Sequence, residues 1–128
     1  MASVSLIELK KAADALKESV KFCEANTSDK KLYKIARDAS IQRFEFSVEL
    51  SVKLSKKLMG STSATAKPVV REMLQNELID SFEVWFDFLE ARNKTSHTYD
   101  EEIAKEVYSV VQKFLPELGN LIVKLENL

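Results

Sequence analysis

The only histidine of this 128-residue chain, His97, lies five positions after Arg92 in the segment ARNKTSHTYDEE. A neutral imidazole can accept the proton of a ribose 2′-hydroxyl, and a protonated imidazole can donate a proton to a leaving oxygen. A guanidinium presents a planar fork of N–H donors that fits phosphate oxygens and stabilises the charge that develops in the transition state. Together the two side chains suit phosphodiester cleavage without a metal ion. Because DNA lacks the 2′-hydroxyl, they favour RNA over DNA.

The spacing of this pair requires a bend in the chain. On an unbroken helix, five positions would leave the two side chains about 140° apart and facing different ways. A junction between two helices can bring both toward one point, and short polar residues suited to such a junction surround the histidine: Asn93, Thr95, Ser96 and Thr98. From the pair alone two interpretations stay open, an active site or a polar turn in which the histidine is solvated.

The segments on either side of this turn have helical patterns. The chain has two glycines and two prolines, and none lies before residue 60. Apolar residues at alternating steps of three and four predict a first helix whose inner face carries Leu6, Leu9, Ala13, Leu16, Val20 and Cys23. A second helix, from about Asp29 to Met59, has two apolar stripes, which predicts contacts on two sides and a central position. One stripe is Leu32, Ile35, Ala39, Phe46, Leu50 and Leu54, and the other is Ile41, Phe44, Val48 and Val52.

Helix-terminating residues then mark three further helices. Gly60 should end the second helix, because glycine tolerates the left-handed cap conformation, and Pro68 should open a short helix over residues 68–79. A fourth helix, capped by Asp80 or Ser81, should extend to residue 93. Its expected inward residues are Val84, Trp85, Phe88 and Leu89.

The last helix is predicted from the polar turn onward. Thr98, with Glu101 three places on, resembles a capping box that opens a helix from about Tyr99 to Glu126, kinked just before Pro116. The sequence therefore predicts an all-α fold, an antiparallel up-down bundle of four main helices plus one short helix. We expect one domain over residues 1–128.

Composition limits the function classes. The formal net charge is -1 and the pI is about 5.9, so any RNA contact must use a few locally placed cations rather than an overall basic surface. Cys23 is the only cysteine, which excludes an intramolecular disulfide and indicates a packed thiol. The sequence has no glycine-rich phosphate loop, and we expect neither a cofactor nor a metal ion. The N-terminus lacks a signal-peptide pattern and no apolar run approaches about 18 residues, so we expect a cytoplasmic protein without membrane contact.

The run RNKTSHTYD, with QRFEFSVELSVKL upstream and the spacing between them, resembles the HEPN superfamily. Within it, the chain is most similar to the nucleotidyltransferase substrate-binding proteins, and the resemblance covers essentially the whole chain. The superfamily motif is an arginine, a polar residue, a spacer and a histidine, which correspond to Arg92, Asn93 and His97. Tyr99, two places after the histidine, fits a subgroup found in toxin–antitoxin pairs.

This resemblance implies a helical bundle that forms a homodimer, with the two Arg–His junctions facing each other, and many members are metal-independent endoribonucleases. It implies that Arg92 stabilises the phosphate, His97 acts as acid or base, and Asn93 orients them. It also implies that a separate minimal nucleotidyltransferase adenylylates Tyr99 and so silences the toxin. We expect Glu90 and Asp100, which are acidic residues close to the motif, to support the site.

Other residues carry weaker signals. Glu45 and Glu49 could form a paired-carboxylate site, but Glu49 with Lys53 is an ordinary ion pair at i, i+4. Two predictions stay open for Arg43, an internal salt bridge or a contact with the Arg92 junction. An aromatic set on the fourth helix could offer a base-stacking platform, although its helical spacing favours packing: Trp85, Phe86 and Phe88.

Three hypotheses follow from the sequence. The first is an endoribonuclease toxin of the HEPN type, neutralised by a nucleotidyltransferase. The second is a non-catalytic subunit that presents a substrate or an acceptor tyrosine to that nucleotidyltransferase. The third is a structural bundle that only dimerises.

Overall fold

The computed structural model describes residues 5–128, which form five α-helices. They are α1 (Leu6–Ala25), α2 (Lys30–Met59), α3 (Ala66–Gln75), α4 (Phe82–Asn93) and α5 (Glu101–Glu126), with a 3-10 turn at Thr95–His97 between the last two. This part of the chain contains no strand, so the predicted all-α class is confirmed. The domain predicted over residues 1–128 includes residues 1–4, which lie outside the described residues.

Contacts between the helices establish an up-down bundle. The α1–α5 pair is antiparallel, because Lys10 bonds Glu126 at 3.0 Å near one end and Glu24 accepts a hydrogen bond from Tyr108 at 2.6 Å nearer the other. α2 folds back along α1, and the Ser40 hydroxyl oxygen lies 3.0 Å from that of Ser19. α4 likewise folds back along α5. None of the helices in residues 5–128 is long and apolar enough to cross a membrane.

Several helix ends lie where the sequence places them. Asp29 caps α2 by accepting a hydrogen bond from the Leu32 amide at 3.1 Å, and Ser81 caps α4 in the same way through the Val84 amide at 3.2 Å. Gly60 ends α2 in the left-handed conformation at φ 67°, as predicted. Side-chain oxygens and glycine here satisfy backbone groups that a helix end leaves unpaired.

The predicted capping box at the start of the last helix is wrong. Asp100 is the N-cap, and its Oδ1 accepts from the amides of Glu102 at 2.9 Å and Ile103 at 3.3 Å. The Thr98 hydroxyl donates instead to the Thr95 carbonyl at 3.2 Å. Glu101 is unavailable for a capping box because it bonds Arg37 of α2. α5 therefore begins at Glu101 rather than at Tyr99, and Pro116 lies inside the helix.

The short helix is also placed differently from the prediction. α3 begins at Ala66, two residues before Pro68, and ends at Gln75 rather than at residue 79. It ends early because the backbone at Glu77 has a φ of 61°, which a helix cannot continue through. Leu78 and Ile79 are nevertheless buried, so this turn brings two apolar side chains into the core.

The core centres on Phe114 of α5. Its ring makes edge-to-face contacts with Phe44 of α2 and with Trp85 and Phe88 of α4, at centroid distances of 5.1, 5.7 and 5.0 Å. Such pairs contribute beyond the area they bury. Cys23 is fully buried on α1, which confirms the packed thiol, and burial raises the pKa of that thiol. The aromatic cluster therefore joins α2, α4 and α5.

α2 buries several small side chains among its larger apolar ones. Four of its serines are completely buried, and three of them donate to the carbonyl four residues earlier at 2.8 Å: Ser40, Ser47 and Ser51. The fourth is Ser55. The second apolar stripe of α2 is buried as predicted. The first is only partly so, because Leu32, Ile35 and Phe46 are exposed. Val84 of α4, also expected inside, is exposed as well.

A buried arginine ties α2 to the start of α5. Arg37 donates to both oxygens of Glu101, at 2.6 and 3.0 Å, and its side chain is 5% exposed. A two-pronged arginine–carboxylate contact fixes geometry as well as adding attraction. This contact anchors the residue that directly follows the polar turn.

The aromatic cluster makes a stability prediction. Phe114→Ala should lower the free energy of unfolding by about 3–5 kcal/mol, because it removes three ring contacts and leaves a cavity. Chemical denaturation measures the change. Val123→Ala on the same helix is the control: Val123 is 55% exposed, and its loss should change stability by about 0.5 kcal/mol or less. Equal losses in both variants would contradict the assigned core.

The Arg37–Glu101 contact makes a pH prediction. Hydrogen bonds from Arg37 hold the pKa of Glu101 below its usual range. A depressed carboxyl pKa gives stability that is complete above the unfolded value of about 4.3 and is lost as the pH falls through the folded value. Glu101→Gln should therefore be less stable than the parent at pH 7, and the difference should shrink in acid. Denaturation series at several pH values measure the difference. Glu102→Gln, which removes a neighbouring exposed carboxylate, is the control and should show no such convergence. A loss of unfolding free energy in Glu101→Gln that stays constant into acid would contradict the prediction.

Candidate functional site

The predicted motif lies in the connection between α4 and α5. Arg92 and Asn93 form the last turn of α4, and His97 ends the 3-10 turn that follows. The backbone passes from one helix to the next through a chain of tight turns, in which the amides of Lys94, His97 and Asp100 each bond a carbonyl three residues earlier at 3.0–3.1 Å. This hydrogen bonding gives the connection a defined shape.

Arg92 points toward α2. Its Nη2 donates to Glu49 Oε1 in an ion pair, and its Nη1 lies 3.4 Å from Asn93 Oδ1. The Arg92 side chain is 38% exposed, while its Nε is buried without a hydrogen-bond partner. The guanidinium is therefore held in a fixed direction at the protein surface, with donor capacity left for an anion.

Thr95 makes a second link to α2. Its hydroxyl oxygen lies 2.7 Å from Glu45 Oε2 and 2.8 Å from the Arg92 carbonyl oxygen, so its one proton is shared between two acceptors. Glu45 and Glu49 are one helical turn apart, and both face the connection. α2 thus holds the polar turn through two carboxylates.

These carboxylates are the site residues that the sequence interpretation set aside. The expected Glu49–Lys53 ion pair is wrong, since Glu49 pairs with Arg92. Within residues 5–128, Arg43 makes no salt bridge and no hydrogen bond to the junction; its Nη1 donates to the Ala15 carbonyl of α1 at 2.6 Å. The available signal was the pair of acids at i, i+4 on a helix predicted to be central.

His97 and Tyr99 are both exposed. Their rings lie 6.2 Å apart, centroid to centroid, at an interplanar angle of 69°, and Tyr99 is 86% exposed. No hydrogen bond or ring contact within residues 5–128 joins the His97 side chain to Arg92, and the two groups have different partners. The structure brings Arg92 to Asn93 and His97 to Tyr99.

The two acids expected to support the site have separate roles. Asp100 caps α5 through backbone amides. Glu90 is exposed on α4, one turn before Asn93, and borders a cleft. Among residues 5–128, no three side chains of His, Cys, Asp or Glu meet in a way that could hold a metal ion.

That cleft, here called the α2–α4 cleft, has a volume of about 680 Å³ and lies between α2, the loop at residues 60–65, the start of α3, and α4. Arg92 and Asn93 form part of its border. Its apolar wall includes Val48, Val52, Val69, Phe86 and Leu89, and its cationic residues are Lys53, Lys56, Lys67 and Arg92. The cleft gives the Arg92 guanidinium an adjoining space large enough for a small ligand.

Comparisons with known proteins agree with one another. Residues 5–127 match the family described as nucleotidyltransferase substrate binding protein like. A Haemophilus influenzae protein named probable ribonuclease HepT is 36% identical over 96 residues, which cover 69% of this chain and 66% of that relative. The structure of HI0074 from the same species, described as the fold of a substrate binding domain of a nucleotidyltransferase, superposes with a TM-score of 0.82. It is 29% identical and is covered over 99% of its length, against 95% of this chain.

The Thr95–Glu45 contact makes a prediction about the connection. Thr95→Val removes the hydroxyl that bonds α2, so the amides of His97 and Asp100 should exchange with solvent several-fold faster in hydrogen-exchange NMR. Ser96→Ala is the matched control, because Ser96 is exposed in the same turn and its side chain makes no hydrogen bond within residues 5–128. Unchanged exchange in Thr95→Val would mean that the contact does not hold the turn.

Proposed function

Because this chain belongs to the nucleotidyltransferase substrate binding protein-like family, we propose that it is the partner of a minimal nucleotidyltransferase and cleaves RNA without a metal ion. The observation that carries the proposal is the connection between α4 and α5. It holds a surface guanidinium in a fixed direction and places an exposed imidazole on the following turn. The name of the Haemophilus influenzae relative, probable ribonuclease HepT, supports the same activity.

The proposed reaction is an internal transfer at phosphorus. His97 takes the proton of a ribose 2′-hydroxyl, the 2′-oxygen bonds the adjacent phosphorus, and the bond from phosphorus to the 5′-oxygen breaks. The leaving 5′-oxygen receives a proton from the protonated His97 of a second copy. The products are a 2′,3′-cyclic phosphate and a 5′-hydroxyl. Arg92 stabilises the charge on the non-bridging oxygens, and Asn93 helps to hold its guanidinium.

The exposed Tyr99 fits the proposed role of the partner. A modifying enzyme must reach the phenolic oxygen, and the side chain is 86% exposed. In the proposed modification, this oxygen attacks the α-phosphorus of ATP, pyrophosphate leaves, and the phenolic proton passes to solvent. An attached nucleotide would bring a phosphate and a base next to His97. Adenylylation would thereby block RNA and silence the chain as a toxin.

A homodimer completes the proposal. The two-proton mechanism uses one His97 from each copy. Exposed apolar side chains on the outer faces of α1 and α2, Phe22, Ile35 and Phe46, are available for association, at 52%, 58% and 55% exposure. Exposed apolar surface is used at protein–protein interfaces. The proposed place of action is the cytoplasm, where RNA is available.

The test is an RNA cleavage assay on purified protein in the presence of a chelator. The parent should cleave and leave 2′,3′-cyclic phosphate ends, and His97→Ala should be about 10²- to 10⁴-fold slower because it loses the acid–base group. Arg92→Lys should also be slower, because an ammonium cannot reproduce the planar fork. Ser96→Ala in the same turn should cleave at the parental rate. Parental cleavage by His97→Ala would refute the mechanism.

One observation favours a second function. Glu49 already pairs with Arg92, so an incoming phosphate must compete with a carboxylate. A non-catalytic subunit that presents Tyr99 to the nucleotidyltransferase would need no free arginine. That function predicts a stable complex and labelled Tyr99 without RNA cleavage. Mass spectrometry of the co-expressed pair, combined with the cleavage assay, separates the two functions.

A further inference from the structure

We propose that the α2–α4 cleft binds one unpaired nucleotide of the RNA, next to the phosphate held by Arg92. This inference rests on the proposed function and gives it a substrate class, single-stranded RNA. The cleft is continuous with the motif, because Arg92 and Asn93 border it while their guanidinium and amide contact each other. A phosphate at Arg92 therefore has its neighbouring nucleotide at the opening of the cleft.

The wall of the cleft suits the faces of a nucleobase. Val48, Val69 and Leu89 are buried side chains that line it, and Phe86 is a half-buried aromatic ring at its edge. The Phe86 ring stacks on Phe82 at 5.4 Å, which holds it in place. Aromatic rings fixed in this way bind bases with little dependence on sequence.

The rim of the cleft suits a phosphate backbone. Lys53, Lys56 and Lys67 join Arg92 there, against the two carboxylates of Glu49 and Glu90. Neither Lys53 nor Lys67 takes part in an ion pair within residues 5–128. In a chain of net charge -1, this is the local excess of cations that RNA binding would need.

Lys67 also covers the ring that the base would use. Its ammonium lies 4.3 Å from the Phe86 centroid. The Lys67 side chain is exposed, so a base can displace the ammonium from the ring while the charge moves to a phosphate. The cation–π contact thus covers the apolar ring in the free protein.

The wall formed by the loop is fixed before any ligand arrives. Ser63 at the cleft donates its hydroxyl to Glu72 Oε1 at 2.9 Å, and its amide bonds the Ser61 hydroxyl at 3.1 Å. A preformed cleft of about 680 Å³ is in the usual range for a small ligand. A base inside a duplex cannot reach such a wall, whereas an unpaired base can leave the stack and enter.

The first experiment measures RNA binding separately from cleavage. All variants carry His97→Ala, and a fluorescent six-nucleotide single-stranded RNA of mixed sequence is titrated by anisotropy at several salt concentrations. Adding Lys53→Ala with Lys67→Ala should weaken binding about tenfold and reduce the salt slope by about 1.4, at about 0.7 for each phosphate that is no longer neutralised. The matched control, Lys17→Ala with Lys31→Ala, removes the same charge from exposed positions outside the cleft and should have little effect.

The second experiment tests for the base. The same RNA is prepared with a single abasic position at each site in turn. One position, adjacent to the cleavage site mapped with the parent protein, should cost binding by about fivefold to a hundredfold, as expected for a stacked base. With Phe86→Leu, which keeps an apolar side chain without an aromatic face, that position should no longer differ from the others. Val84→Ala, at an exposed apolar position on the same helix, should keep the parental pattern.

Three results would overturn the inference: equal losses of affinity in the two lysine pairs, a flat abasic scan with the parent cleft, or duplex RNA bound as tightly as the single strand. Tight competition by free ATP with no preference for RNA would overturn it as well, because it would assign the cleft to a free nucleotide. Failure of the proposed function gives a different result. In that case the protein with His97 intact does not cleave RNA, whatever the binding variants show.

Discussion

Two carboxylates on one face of α2 hold the polar connection between α4 and α5. Glu49 pairs with Arg92. The Thr95 hydroxyl proton is shared between the Glu45 carboxylate and the Arg92 carbonyl oxygen at the end of α4. A half-exposed ion pair adds little to the stability of a fold, but it fixes the direction of a flexible side chain. The site therefore depends on α2 for its geometry, although the motif itself lies wholly outside that helix.

In the proposed function, the same contact controls how strongly Arg92 binds a phosphate. While Glu49 is paired with it, the guanidinium offers a ligand its remaining donors and only part of its charge. An isolated phosphate gains little from this arrangement, whereas a strand that also contacts the lysines around the α2–α4 cleft gains several attractions together.

Local patterns predicted the helices well and their long-range contacts poorly. Apolar periodicity located α1 and α2, helix-terminating and capping residues marked the other three helices, and Asp29 and Gly60 located the ends of α2. The predictions that failed are those in which two residues compete for the same position or the same partner. Asp100 displaced Thr98 as the cap, and Arg92, 43 residues away, displaced Lys53 as the partner of Glu49. A sequence shows which neighbours are near along a helix, but not which distant group folding brings closer.

The predicted burial of the first apolar stripe of α2 failed for a related reason. Periodicity predicts which residues share a face, while only packing determines whether that face is covered. Leu32, Ile35 and Phe46 were predicted to lie on the same face of α2 as Leu50 and Leu54. Only Leu50 and Leu54 are buried. The motif residues were predicted from the resemblance of the run RNKTSHTYD to a known superfamily, whereas acids such as Glu49, which orients Arg92, are common on any helix surface.

The buried serines of α2 have a consequence for how this bundle can change. A helix that meets its neighbours through hydroxymethyl groups lets their axes come close, and it leaves almost no volume for a longer side chain. Replacing Ser40, Ser47 or Ser51 by alanine removes one atom and a bond to the helix's own backbone, while a leucine there would force the helices apart. Substitutions at these serines are therefore tolerated when they shorten the side chain and are destabilising when they lengthen it. Larger changes of shape are left to the outer faces and the loops.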